Sequence, residues 1–262
     1  MPKTETMTEQ ETTTNKTYAR IAGTLIIVGY IVYAIPEVTI LQPILGASDP
    51  LATVAAHTTQ VTLGALIMAI NSAAVVGIAV LLFPVMKQYN ETIALGYIAT
   101  RLFEAIVMIV GVIGLLLLVP LSQEYVQASA ADASSLQALG TLAIQGNTLA
   151  YQIAMIGLSI GSLPFCYLLY QSELVPRFIS VLGLIGYPAL LTLMVIETFA
   201  FDLGLVIYTL IVPGMLFEVS LALWLIGKGF NSSAIVSGTG KTELNEVQTN
   251  TADLERKYDV ED

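Results

Sequence analysis

Six apolar runs dominate the chain, at residues 21–45, 61–86, 93–121, 149–170, 178–198 and 203–227. A helix rising about 1.5 Å per residue needs about 20 apolar residues to cross a hydrocarbon core of about 30 Å, and each run meets that length. No water reaches the core to satisfy open backbone groups, so such runs are confined to helices. Only 11% of the residues are charged and the mean hydropathy is +0.77, whereas about a quarter of a soluble domain is charged. The expected fold is therefore an all-α, polytopic transmembrane bundle of six spans. The bilayer is its first partner.

The flanks differ sharply from the runs. Residues 1–20 are polar and Thr-rich, and residues 230–262 are acidic and polar, so both are expected to be disordered cytoplasmic tails around a transmembrane domain at 21–229. A cleaved signal peptide is the rival reading of the first run. That run continues through Tyr33, Ala34, Ile35, Pro36 and Glu37 without a clean small-x-small site, which favours an uncleaved span. Residues 122–145 begin polar and then place Leu136, Leu139, Leu142 and Ala143 at helical spacing, an amphipathic approach to the fourth span.

Basic residues set the orientation. Lys3, Lys16 and Arg20 precede the first span, Lys87 joins the second and third, Arg177 joins the fourth and fifth, and Lys228, Lys241, Arg256 and Lys257 follow the sixth. Arg101 lies inside the third span nearer its Lys87 end, so all ten bases fall on one side of a six-span arrangement. By the positive-inside rule both termini are cytoplasmic, in a cell-membrane protein. The net charge of −10, with no basic patch, excludes nucleic acid as a partner.

Within the spans the informative residues are Arg101, Glu104 and Glu218. An ion deep in hydrocarbon costs a few kcal/mol or more, so it needs a partner. Arg101 and Glu104 are three apart and share a helix face, roughly 12 and 16 Å into the third span. Glu218 lies roughly 13 Å from the corresponding end of the sixth span, flanked by Gly214 and Ala222 at four-residue spacing. Equal depth and a smooth face predict that spans three and six are neighbours, with Arg101 clamped between Glu104 and Glu218.

Other polar groups read as packing contacts. Asn71 in the second span, and Asn147 and Gln152 near the start of the fourth, suit hydrogen bonds between helices. Small-residue stripes at Ala65, Ala69, Ala73 and Gly77, and at Gly157 and Gly161, suit close packing within the chain or in a homo-oligomer. His57 has no second histidine to share a metal with, and Cys166 has no partner for a disulfide, so no metal site is expected. Pro164, Pro188 and Pro213 fall inside three consecutive spans, where kinks would open a cavity. The triplet Leu102, Phe103, Glu104 recurs as Leu216, Phe217, Glu218, the kind of correspondence an inverted repeat of two three-span halves would leave. No catalytic or cofactor motif is present: the Gly238 to Lys241 fragment lacks the first glycine and the preceding strand of a phosphate loop.

The turn from Tyr170 through Ser172, Pro176 and Arg177 to Ser180, followed by Leu182 and Gly183, together with Ala19, Arg20 and Gly23 before the first span and Arg101 to Glu104 in the third, resembles one family. This is the domain of unknown function 4386 family of multi-pass prokaryotic membrane proteins. The resemblance covers about residues 18–229 and implies fold and location, with no activity attached.

Three functions are weighed, the last an intramembrane enzyme for which the sequence offers no catalytic set. The first is a non-enzymatic structural or regulatory membrane protein built around the buried Arg/Glu cluster between spans three and six. The second is a small secondary transporter or proton-linked permease using the same cluster. A cavity reaching both glutamates favours the second and a dry, packed core favours the first.

Overall fold

The computed structural model describes residues 2–199, 204–231 and 234, with side chains from residue 13 onward. Among these residues there is no strand, and six helices are long and apolar enough to cross a membrane. The first span is α1 (Pro2–Pro36), continued by a π-helical turn (Glu37–Leu41) and α2 (Gln42–Leu45). A short α3 (Pro50–Ala56) leads to α4 (Thr58–Met86), α5 (Glu91–Tyr125), α6 (Ala130–Ser172), α7 (Arg177–Thr198) and α8 (Val206–Gly227). These last five are spans two to six.

Helix α1 reaches back to Pro2, where the sequence reading placed a disordered tail through residue 20. Once a span has formed, each further residue adds a backbone hydrogen bond without a new nucleation cost. Packing supports the nearer part, since Asn15, Ala19 and Ala22 are buried. The acidic tail beyond residue 234 lies outside the described residues.

Short connections make consecutive spans antiparallel neighbours, and the six close into a ring: α1, α4, α5, α6, α7, α8 and back to α1. The turns at 86–91 and 172–177, the segment after α8 and Lys16 of α1 meet at one end, here the basic end. A polar helix start is capped in the ordinary way: the Asn90 side chain accepts from Ile93 N at 3.0 Å, and that of Asp49 from Ala52 N at 3.1 Å. At the opposite end α3 and the π-helical turn lie on spans two to four through Leu41, Leu51, Val54, Leu115 and Leu118. Tyr125 Oη ties this cap down by donating to Asp49 at 3.0 Å, and accepts in turn from Gln137 at 2.7 Å. Helix α6 has 43 residues, roughly 65 Å of helix, so its first turns project well past a hydrocarbon core. Outward-facing Leu63, Ile70, Val110, Leu117, Ile160 and Leu223 form the lipid-facing surface.

Because lipid tails are as apolar as leucine, helices here associate through close fit rather than water exclusion. A Cβ on Gly186 of α7 would stand 2.5 Å from Gly214 Cα and N of α8, and one on Gly23 of α1 would stand 2.7 Å from the Ala222 carbonyl. Gly157 and Gly161 of α6 seat Phe103 and Thr100 of α5. Gly186→Val therefore pushes a side chain into backbone that cannot yield, and an expected loss of about 1 to 3 kcal/mol should appear as a lower melting temperature in detergent. Gly96→Ala, with no atom within 4 Å of its new Cβ, should leave the melting temperature unchanged or slightly raised.

Candidate functional site

Closing six helices into a ring leaves a space on its axis, and here it is a cavity of about 200 Å³, room for roughly six waters. Every span contributes to its wall. Helix α4 supplies Asn71, α5 supplies Arg101 and Glu104, and α8 supplies Glu218; tyrosines come from α1 (Tyr30, Tyr33), α6 (Tyr151) and α7 (Tyr187). The remaining wall is aliphatic, with Leu25, Ile78, Met108, Leu158 and Ile211.

The three charges are not held alike. Arg101 is 6% exposed and Glu104 is 2% exposed, and the Arg101 guanidinium donates to Glu104 Oε2 at 3.0 Å from the same face of α5. Its Nε donates to Tyr97 Oη at 3.0 Å, one turn earlier, and the guanidinium lies 5.2 Å from that ring's centre. Tyr97 is fixed in turn by stacking on Phe165 of α6, ring centres 4.3 Å apart. Helix α5 thus satisfies this pair largely by itself. Glu218 is only half-buried and faces the cavity, and Tyr187 of α7 donates to its Oε1 at 2.8 Å. Tyr187 is positioned by an edge contact with Phe217, ring centres 5.6 Å apart.

Spans three and six are not the packing neighbours that equal depth suggested. Helix α5 packs on α4, α6 and α3, whereas α8 packs on α7 and α1. Arg101 and Glu218 form no ion pair within 4 Å, so the three-membered clamp does not exist as expected. The smooth face around Glu218 is used by other helices: Gly214 meets Gly186 of α7, and Ala222 meets Gly23 of α1. Depth fixes a residue's level along the axis and says nothing of its direction around it. In a ring of six, the third and sixth members stand opposite, and their charges share a cavity instead of a contact.

Of the other candidate residues only Asn71 lines the cavity; the rest are dispersed. Asn71 Nδ2 lies 3.9 Å from Met108 Sδ, Asn147 of α6 stands over Gly111 of α5, and Gln152 Oε1 accepts from Thr198 of α7 at 3.4 Å. Ala73 is exposed, so the stripe on α4 is not a single packed face. His57 is exposed, its Nδ1 2.9 Å from Thr53 O, and Cys166 is buried. Among the described residues no group of three potential metal ligands occurs. The repeated triplet has unequal surroundings: Phe103 is half exposed while Phe217 is buried against Gly183. The cavity draws on all six spans, not only on the proline-bearing fourth to sixth.

The tyrosines are what sequence reasoning missed. Tyrosine in a span usually marks the interface, but Tyr30 and Tyr187 stand roughly 13 to 15 Å beyond the start of their runs. That depth was the available signal.

At the basic end, the turn motif folds into the core. Glu173 takes a left-handed conformation at φ 54°, which folds Leu174 and Val175 inward until both are fully buried. Ser172 Oγ accepts from Leu174 N at 3.4 Å, and Pro176 opens α7 with Arg177, which pairs with Glu173 and lies 5.5 Å from the Tyr170 ring centre. The chain after α8 covers this turn. Gly229, at φ +72°, ends α8; Phe230 is buried, and Asn231 N donates to Leu174 O at 3.0 Å. Tyr89 Oη donates to Ala234 O at 2.5 Å; burial pushes this hydroxyl up to about 12, so it remains a donor at neutral pH.

No curated protein and no solved structure matches the chain. Residues 21–229 match the family described as "Domain of unknown function (DUF4386)". That stretch takes in all six spans, the charged cavity and the buried turn, and the chain belongs to this family of integral membrane proteins.

Proposed function

We propose that the protein is a small non-enzymatic secondary carrier, a proton- or cation-linked permease, with the central cavity as its binding site and Glu218 as its coupling group. One observation carries this reading: all six spans meet on a mid-membrane cavity whose formal charges, one arginine and two glutamates, sum to minus one. An excess charge in hydrocarbon is neutralised by a proton or a bound cation, and exchange of one for the other is the elementary step of coupled transport.

A structural role suits part of the cluster. The Arg101–Glu104 pair is buried and satisfied within α5, and it fixes the rotamers that shape one wall. Glu218 has no such cation and opens on the cavity, which a clamp does not need.

We further place both termini in the cytoplasm of a cell-membrane protein, from the bases gathered at one end. In intact cells an impermeant maleimide should label Ser135→Cys and should reach Lys228→Cys only after permeabilisation. Proton movement in proteoliposomes challenged with a panel of solutes tests the carrier reading, with Glu218→Gln as the reference variant.

A further inference from the structure

Helices α1 and α8 are close at one level and apart at the next. Gly23 touches the Ala222 backbone near the basic end, where Ala222 is 0% exposed. Seven residues further along each helix, two turns on the same face, stand Tyr30 and Met215. Both line the cavity, yet Tyr30 is 38% exposed and Met215 46%. Every other lining residue is buried or half-buried. Seven residues beyond Met215, Tyr208 on the same face of α8 is 64% exposed. The two lining residues that are also exposed thus stand together on the α1–α8 seam, at a level where the surroundings are lipid.

The chemistry inside the cavity favours a cation. Glu218 faces the cavity with only neutral hydroxyls, those of Tyr187 and Tyr30, beside it. Arg101 is turned to Tyr97 and Glu104, and apart from the Asn71 amide the rest of the wall is aliphatic or aromatic. A carboxylate among tyrosine rings recognises an ammonium without needing it to donate hydrogen bonds.

Resting on the carrier reading, we propose that the substrate is a lipophilic organic monocation, seated with its charged head at Glu218 and entering from the bilayer through the α1–α8 seam. The probe is tritiated hexyltrimethylammonium, bound at equilibrium to the full chain in nanodiscs and corrected with empty discs. Saturable binding is expected, weakened about thirtyfold or more in Glu218→Gln and within about threefold of wild type in Glu218→Asp. Gel filtration of both variants separates lost binding from lost folding. Absence of saturable binding, or equal binding by Glu218→Gln, overturns the assignment.

The route is read separately, with Met215→Cys in a Cys166→Ala background. A lipid-soluble maleimide should label it, an anionic methanethiosulfonate should not, and hexyltrimethylammonium should protect it. Labelling by the anionic reagent alone overturns the lateral route. Binding of the cation without solute-linked proton movement would refute the carrier and leave only the cation site at Glu218 standing. Proton-linked movement of a neutral or anionic solute, without cation binding, would do the reverse.

Discussion

Arg101→Ala is expected to destabilise the protein by on the order of 3 to 5 kcal/mol, because it strands Glu104 as an unpaired carboxyl that is 2% exposed. Tyr97 also loses the group its hydroxyl accepts from and its ring faces. Thermal unfolding in detergent measures the loss, and aggregation on purification would be its extreme form. Arg101→Lys keeps the charge but cannot reach Tyr97 and Glu104 together with a planar fork, so an intermediate loss is expected. The double variant Arg101→Leu, Glu104→Leu should be more stable than Arg101→Ala, since removing both members leaves no uncompensated charge. If the double variant were the less stable, the pair would not be the self-contained unit described.

Glu218→Gln should behave in the opposite way. The new side-chain amide retains an oxygen that can accept from Tyr187, so the 2.8 Å hydrogen bond survives and stability should change by less than about 1 kcal/mol. Function should not survive. With the amide in place the cavity's formal charges sum to zero, and there is no group left to exchange a proton for a cation. Solute-linked proton movement should therefore drop to that of protein-free liposomes. The contrast between the two variants, one structural and one functional, follows from where each carboxylate finds its partner.

Much of this was legible in the sequence, and the limits are physical. Hydropathy gives the spans because the bilayer leaves the backbone only one solution, and the placement of the bases agreed with an even number of crossings. Counting residues along each helix put Arg101 and Glu218 at matching depth, and the structure places both on one cavity. The direction each side chain faces was not available from counting. Gly214 and Ala222 signalled a close approach to α8, but which helix approaches depends on ring closure by α1, and that is a long-range property. The helical start of α1 was hidden because its polar composition resembles that of a disordered tail. The turn at the basic end was visible only as the spacing of Ser172, Pro176 and Arg177. Its burial emerges once Glu173 turns left-handed and carries Leu174 and Val175 into the core.

The most direct measurement is of luminal pH in proteoliposomes carrying a trapped pH dye, challenged in turn with organic cations, amino acids, sugars and organic anions. At least one solute is expected to drive a pH change in wild-type vesicles that is absent from both Glu218→Gln and protein-free vesicles. A pH change of equal size in wild type and Glu218→Gln, or none with any solute, would contradict the assignment of Glu218 as the coupling group of a carrier.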